Sequence, residues 1–338
     1  MNILVRLPNW LGDAVMATFA LEILYRTYPN AHFYFVGSKV SCALFSHYSN
    51  ITTIIDNSKQ AKFRILALYR LAKAIPPCEI ALTFQNNFFS ALFLFFNRAK
   101  KRIGYANELR SLLLNIALKK PKKLHESLRF AKLVEAIIPN HCVEPKLYLK
   151  PPKISITLPM HFNHLKIAGI NAGAAFGSAK RWEEQYFAAV IEDLLKHDFC
   201  VILFGVESEN PINEKILSYL KQSNKILNLS GKTNLQELMA YFSKLHILIT
   251  NDSGPMHIAA ALNIPTIALF GPTNQEETCP FNAEHSYILS LQTFHKALSC
   301  QPCKKRSCPI SQDSATYHAC MRELKPQWVI EKIHSLIS

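Results

Sequence analysis

The chain has 338 residues, 49% of them hydrophobic, which is enough to fill the cores of two domains. Lys and Arg outnumber Asp and Glu by 38 to 24, so a net charge of +14 sits on a rather apolar protein and points to an anionic partner: nucleic acid, acidic lipid or a phosphorylated substrate. The longest apolar run, 88–96, is about half of what spans a bilayer, and residues 1–6 lead into a strand rather than a signal peptide, so a cytoplasmic protein with no transmembrane helix is expected.

Residues 2–7 read as a first strand, 8–13 as a polar turn and 14–25 as a helix with apolar residues at helical spacing. Asp13 falls at the strand-to-helix junction. It is either a helix cap or a carboxylate at the carboxyl edge of the first strand, where open α/β sheets place their sites. Strands follow at 32–36, 51–55, 79–84 and 103–105, with a helix over 63–73 that is basic on one side. The aromatic run 88–96 precedes a basic cluster at 98–102. It reads as a buried helix with a solvated end, or as a segment that docks on a membrane surface. A further helix runs from about 124 to 138.

Residues 139–159 are proline-rich and weakly periodic, which predicts a linker and two domains, 1–150 and 151–338, with the last helix packing back toward the first domain. A second βαβ series then begins. Strands are expected at 167–171, 200–204, 226–229, 245–249 and 265–270, and helices at 183–196, 211–222, 235–243 and 327–336. No GxGxxG follows the first strand, which argues against a dinucleotide enzyme. Two mostly parallel sheets are predicted, with ligands in the cleft between the domains.

The most informative stretch is 249–257, ITNDSGPMH, between a β-branched strand and an alanine-rich helix. Ser253 suits a helix cap, Gly254 admits a ligand close to the backbone, and Pro255 suits the first turn. The N–H groups of such a helix start favour a phosphate, with Asp252 and His257 flanking it. The plainer alternative is a capped helix in an α/β sheet.

Four of the nine cysteines, Cys300, Cys303, Cys308 and Cys320, cluster near the C-terminus. Their C-x2-C-x4-C-x11-C spacing fits either structural zinc or packed, reduced thiols. Lys304, Lys305 and Arg306 lie within the cluster, where they suit lipid phosphates or water.

Taken together, 8–18 (PNWLGDAVMAT), 173–182 (GAAFGSAKRW), 251–261 (NDSGPMHIAAA) and 270–273 (FGPT) resemble the lipopolysaccharide heptosyltransferases of glycosyltransferase family 9. The cysteine segment is similar to the heptosyltransferase II branch, though 310–317 is longer than that branch usually has. The resemblance implies a GT-B fold of two Rossmann-like domains, with acceptor on the first and nucleotide sugar on the second. It implies an inverting, metal-independent transfer of L-glycero-D-manno-heptose from ADP-heptose to heptosyl-Kdo-lipid A, by a monomer held peripherally on the cytoplasmic face of the inner membrane.

In that reading Asp13 is the base on the acceptor hydroxyl, and Lys180 with the helix start at Ser253 and Gly254 stabilises the departing diphosphate. No D-x-D triplet occurs to carry a metal-bound diphosphate. Asp252 is expected on heptose hydroxyls or bracing the turn, and His257 on the diphosphate or in the packing. Glu209, with Glu207 as the competing choice, is expected on the ribose. No cofactor is expected. The alternatives are heptosyltransferase I, another GT-B nucleotide-sugar enzyme, or a basic zinc-bearing nucleic-acid-binding protein, for which the scattered charge gives little support.

Overall fold

The computed structural model describes residues 1–296 and 298–337. The chain forms two compact units, Met1–Leu149 and the remainder from Lys150.

In the first unit the strands are β1 Asn2–Arg6, β2 His32–Gly37, β3 Ile51–Ile55, β4 Ile80–Thr83, β5 Lys101–Tyr105 and β6 Ile116–Leu118. They pair in parallel in the order β3-β2-β1-β4-β5-β6, with Leu4 beside Tyr34 on one side and Ala81 on the other. Central strands of a parallel sheet are covered on both faces, and Ile3, Leu4, Val5, Ala81 and Leu82 are accordingly buried. The helices are α1 Leu11–Met16, α2 Thr18–Thr27, α3 Lys39–Ala43, α4 Arg64–Lys73, α5 Phe88–Asn97 and α6 Glu126–Glu135.

The helix expected over 14–25 starts earlier, at Leu11, and is broken at Ala17. At the break the Thr18 hydroxyl donates to the Val15 carbonyl at 2.6 Å and accepts from the Tyr148 N–H at 3.0 Å. A side chain that competes for helix carbonyls favours such a break.

The second unit repeats the plan with β7 Lys166–Asn171, β8 Phe199–Phe204, β9 Ile226–Asn228, β10 Ile247–Asn251, β11 Thr266–Leu269 and β12 Ser286–Leu289. They are parallel in the order β12-β11-β10-β7-β8-β9. Its helices are α7 Glu184–Lys196, α8 Asn210–Ser218, α9 Leu235–Phe242, α10 Gly254–Ala261, α11 Gln275–Thr278, α12 Ala319–Arg322 and α13 Pro326–Ile337. Sequence patterning gave no sign of β6, β12 or α3, which are only three to five residues long.

The last helix, α13, packs onto α7 inside the second unit, where Val329 and Ile333 join the core.

Each sheet has one topological switch point, β1/β4 in the first unit and β7/β10 in the second. Open α/β sheets bind ligands outside the carboxyl ends of the strands at that point.

Candidate active site

The first unit's switch point holds a cleft of about 290 Å³. Its walls are the loop after β1 (Pro8, Asn9, Trp10) with Asp13 of α1, the loop after β4 (Phe84 to Asn87), and Tyr105, Lys120, Glu126 and Phe130. Asp13 is not the helix cap. The cap position is Trp10, and Asp13 is the third residue of α1, half-buried and facing the cleft. The two loops are tied by Gln85, whose amide donates to the Leu7 carbonyl at 2.7 Å and to Asn9 Oδ1 at 3.2 Å.

Asn86 is braced from below by buried Arg110, whose Nη1 donates to Asn86 Oδ1. Burial pulls the Arg110 guanidinium down to about 10. Burial likewise raises the Tyr105 hydroxyl, which donates to the Arg129 carbonyl. Lys120, Glu126, Asn86 and Arg110 escaped the sequence reading, because no local motif announces residues that converge only through the sheet.

At the second unit's switch point the loop after β7 meets the turn after β10. Asn251 joins them, its amide donating to the Ala172 carbonyl at 2.7 Å and its Oδ1 accepting the Trp182 N–H at 3.2 Å. Trp182 is anchored in turn by its indole N–H on the Leu324 carbonyl at 2.7 Å.

This joinery places Lys180 Nζ 2.6 Å from Asp252 Oδ2, with both side chains buried. Thr273 donates its hydroxyl to the same carboxylate oxygen, and the Lys180 ammonium lies 4.8 Å from the Phe176 ring centre. Sequence reasoning named Lys180 and Asp252 separately. It quoted Thr273 only as part of a motif, although a Thr just past a strand end was a usable signal.

The turn itself differs from the expected cap. Ser253 occupies the N-cap position of α10, but its hydroxyl makes no capping bond and instead accepts the Asn171 amide at 3.0 Å. Asn171, at the end of β7, reaches the hydroxyl first, so the side chain stitches strands rather than capping. Gly254 opens α10, and His257, its fourth residue, is 3% exposed.

After β8 the two acidic candidates separate. Glu207 is exposed, and its carboxylate lies over Gly231, where an added Cβ would come within 1.9 Å of it. Glu209 is half-buried against Gly173 in the loop that carries Lys180, where a Cβ would sit 2.1 Å from its carboxyl. It also accepts the Val206 N–H at 3.1 Å. Of the two, Glu209 is the one at the switch-point side of β8.

The cysteine segment braces the same loop. The Arg306 carbonyl accepts the Ala179 N–H at 3.0 Å and passes so close to Gly177 that a Cβ there would lie 2.2 Å away. His318 Nε2 contacts the Ala179 carbonyl at 2.9 Å. All nine cysteines are free thiols, and Cys300, Cys303, Cys308 and Cys320 line one small closed pocket. Burial, with the other three thiols nearby, pushes Cys320 up to about 12. Among the described residues the group whose ligand atoms lie within 4.8 Å of one another is Asp193, His197 and His334, and the cysteines form no such group.

The family model for glycosyltransferase family 9 (heptosyltransferase) matches residues 68–312. The chain is 34% identical over 340 residues to the lipooligosaccharide heptosyltransferase 2 of Campylobacter jejuni, covering 99% of each. Its fold is similar to that of the Escherichia coli ADP-heptose LPS heptosyltransferase II, with a TM-score of 0.76 at 24% identity, covering 100% of this chain and 98% of the other. It is also similar to that of a family 9 glycosyl transferase from Veillonella parvula, with a TM-score of 0.79 at 19% identity, covering 99% and 97%. The two sheets are thus the Rossmann-like pair of a GT-B enzyme, and the chain belongs to glycosyltransferase family 9, the heptosyltransferases.

Proposed function

We propose that the chain is a heptosyltransferase II, moving L-glycero-D-manno-heptose from ADP-heptose onto the first heptose of the lipopolysaccharide inner core with inversion at the anomeric carbon. The first unit takes the acceptor and the second the donor. The observation that carries this reading is the buried Lys180–Asp252 pair at the second switch point, a cation and a carboxylate held ready where a sugar diphosphate has to bind. The cleft around Asp13 is large enough for a sugar hydroxyl to approach that carboxylate.

In this mechanism Asp13 takes the proton of the acceptor hydroxyl as its oxygen attacks. The bond from the anomeric carbon to the diphosphate breaks on the opposite side. Charge then grows on the departing ADP, where Lys180 and the backbone start of α10 at Ser253 and Gly254 meet it. Asp252 orients Lys180 and contacts heptose hydroxyls. Glu209 takes the ribose, and His257 supports the diphosphate turn from within α10. Lys180 and a helix dipole supply the charge compensation, so the proposed step is routed through no metal. The enzyme works as a peripheral protein on the cytoplasmic face of the inner membrane, where the heptosyl-Kdo-lipid A acceptor is assembled.

The test is incubation of the purified protein with ADP-heptose and a core lipid carrying one heptose, in EDTA, with product mass read out. A gain of one heptosyl unit that Asp13→Ala abolishes supports the assignment. Transfer only onto a core lacking heptose would move it to heptosyltransferase I. No transfer to either would overturn it.

A further inference from the structure

The outer surface of α4, α5 and the 3-10 turn Glu108–Leu113 is unlike the rest of the first unit. The inward sides are ordinary: Leu68, Ala72, Ala91, Phe93 and Leu94 belong to the core. The outward sides are apolar as well. Phe63 is 67% exposed and Ile65 57%, with Leu66, Tyr69, Phe88 and Phe95 also exposed. In the turn packed on α5, Leu109 is 70% and Leu112 81% exposed. Tyr69 and Phe96 meet edge to face at 5.3 Å, so the two helices present one continuous face. A helix facing water normally turns polar residues outward, and an apolar patch of this extent on a single chain marks a contact surface.

The charge of the same region is one-sided. Residues 57–113 carry ten Lys or Arg against two acids, Glu79 and Glu108. The Glu79 carboxylate accepts the Asn2 N–H at 2.6 Å. Among the described residues none of these cations is ion-paired. Several lie on rings instead: Arg64 is 3.5 Å from the Phe89 ring centre, Arg102 5.7 Å from Phe95 and Lys73 5.7 Å from Tyr69. Exposed aromatic and aliphatic side chains, with cations from the same helices and the segments flanking them, match the two layers of an anionic bilayer surface. The rings enter the acyl boundary while the cations stay with the headgroup phosphates. No described helix is long and apolar enough to cross a membrane, so this face would lie on the bilayer without spanning it.

We infer that the face formed by α4, α5 and the turn carrying Leu109 and Leu112 is the surface by which this enzyme docks on an anionic phospholipid membrane. It gives a place on the molecule to the membrane location in the proposed function and rests on that reading for which membrane is meant. Lipid binding is measured without sugar transfer, so either can fail alone.

The experiment is co-sedimentation of the full chain with vesicles of phosphatidylcholine containing about a third phosphatidylglycerol, against phosphatidylcholine alone. The variants are Phe63→Asp with Leu112→Asp, and Lys100→Ala with Lys101→Ala. All four side chains are exposed, so thermal stability serves as the folding control. Wild type is expected to bind the anionic vesicles at least tenfold better than the neutral ones. The aspartate pair is expected to lose binding tenfold or more while keeping transfer to a delipidated core oligosaccharide, and the alanine pair to lose several-fold.

Absence of binding to anionic vesicles in low salt would overturn the inference. So would binding that salt abolishes but the aspartate pair leaves intact, since that is the general attraction of a +14 chain. Two other outcomes would reassign the face: a dimer that the aspartate pair dissociates, or tRNA displacing the vesicles from wild type.

Discussion

Replacing Lys180 by methionine removes one charge from a pair whose N–O distance is 2.6 Å and whose side chains are 11% and 4% exposed. The methionine keeps most of the packing volume, so the cost falls on Asp252, left as a buried carboxylate beside the Thr273 hydroxyl. Breaking a buried pair from one side typically costs about 3–5 kcal/mol. Thr273 still contributes one hydrogen bond, so the lower end, about 3 kcal/mol, is expected. For a unit of this size that corresponds to a melting shift of roughly 6–12 °C.

Asp252→Asn alone strands the Lys180 ammonium at a similar cost of about 3 kcal/mol, whereas the double variant Lys180→Met with Asp252→Asn leaves no buried charge and should lose only about 1–2 kcal/mol, a coupling of about 4–5 kcal/mol between the sites. Urea titration of the four proteins measures it. Additivity within about 0.5 kcal/mol would refute the reasoning that the pair is held as a unit. Turnover separates the second role. Lys180→Met should lower kcat by about 10²- to 10³-fold while KM for the donor moves only a few-fold, because charge on the diphosphate is greatest as it leaves. An unchanged kcat would refute the leaving-group role whatever the stability data show.

Asp13→Asn should reduce kcat by about 10²- to 10⁴-fold with a melting temperature close to wild type, because Asp13 is neither cap nor core; circular dichroism melting alongside the transfer assay checks both. Glu209→Gln should raise the donor KM and weaken inhibition by ADP, whereas Glu207→Gln, exposed and over Gly231, should leave both unchanged; equal effects would contradict the placement. Asp56→Asn should cost about 3 kcal/mol by stranding buried Arg6, with which Asp56 pairs at 2.7 Å. Burial raises the Asp56 carboxyl, but Arg6 and Ser58 outweigh it and hold it below its usual 3.8. That stabilisation is present above the unfolded value and is lost as pH falls through the folded one. Urea midpoints should therefore drop below about pH 4 in wild type and vary less in Asp56→Asn.

The βαβ alternation was legible because it is written locally. HFYFV and ITTII can hardly be anything but strands, and the prolines after 139 interrupt both periodicities before the second series. Asp13, Lys180 and Asp252 were legible for a related reason: each follows a readable strand, and a parallel sheet puts strand ends on one edge.

What stayed illegible is whatever depends on a partner distant in sequence. Ser253 has the residue type and position of a cap, but Asn171 lies 82 residues earlier and takes its hydroxyl. Glu207 and Glu209 are equivalent in sequence and separate only because Gly231 and Gly173 stand against them. The cysteines suggested a ligand set by spacing, yet the contact that matters to the site is a backbone one, from the Arg306 carbonyl to the Ala179 N–H.

Those distant contacts have a common effect on Lys180. It ends a 3-10 turn of only three residues, Ser178–Lys180, and five separate ties fix the loop around it. Asn251 holds the loop at Ala172 and Trp182, Arg306 and His318 hold Ala179 from the cysteine segment, and Asp252 holds the ammonium. A flexible lysine in water would spend its charge on solvent and reorganise when a diphosphate arrived. A lysine already desolvated and aimed pays that cost during folding, which is the condition under which one cation can assist departure of ADP. The long C-terminal cysteine segment is then best understood through what it positions. Its two contacts with the Ala179 backbone act one residue from the charge, so loosening it should reduce turnover without removing any group that touches the substrate.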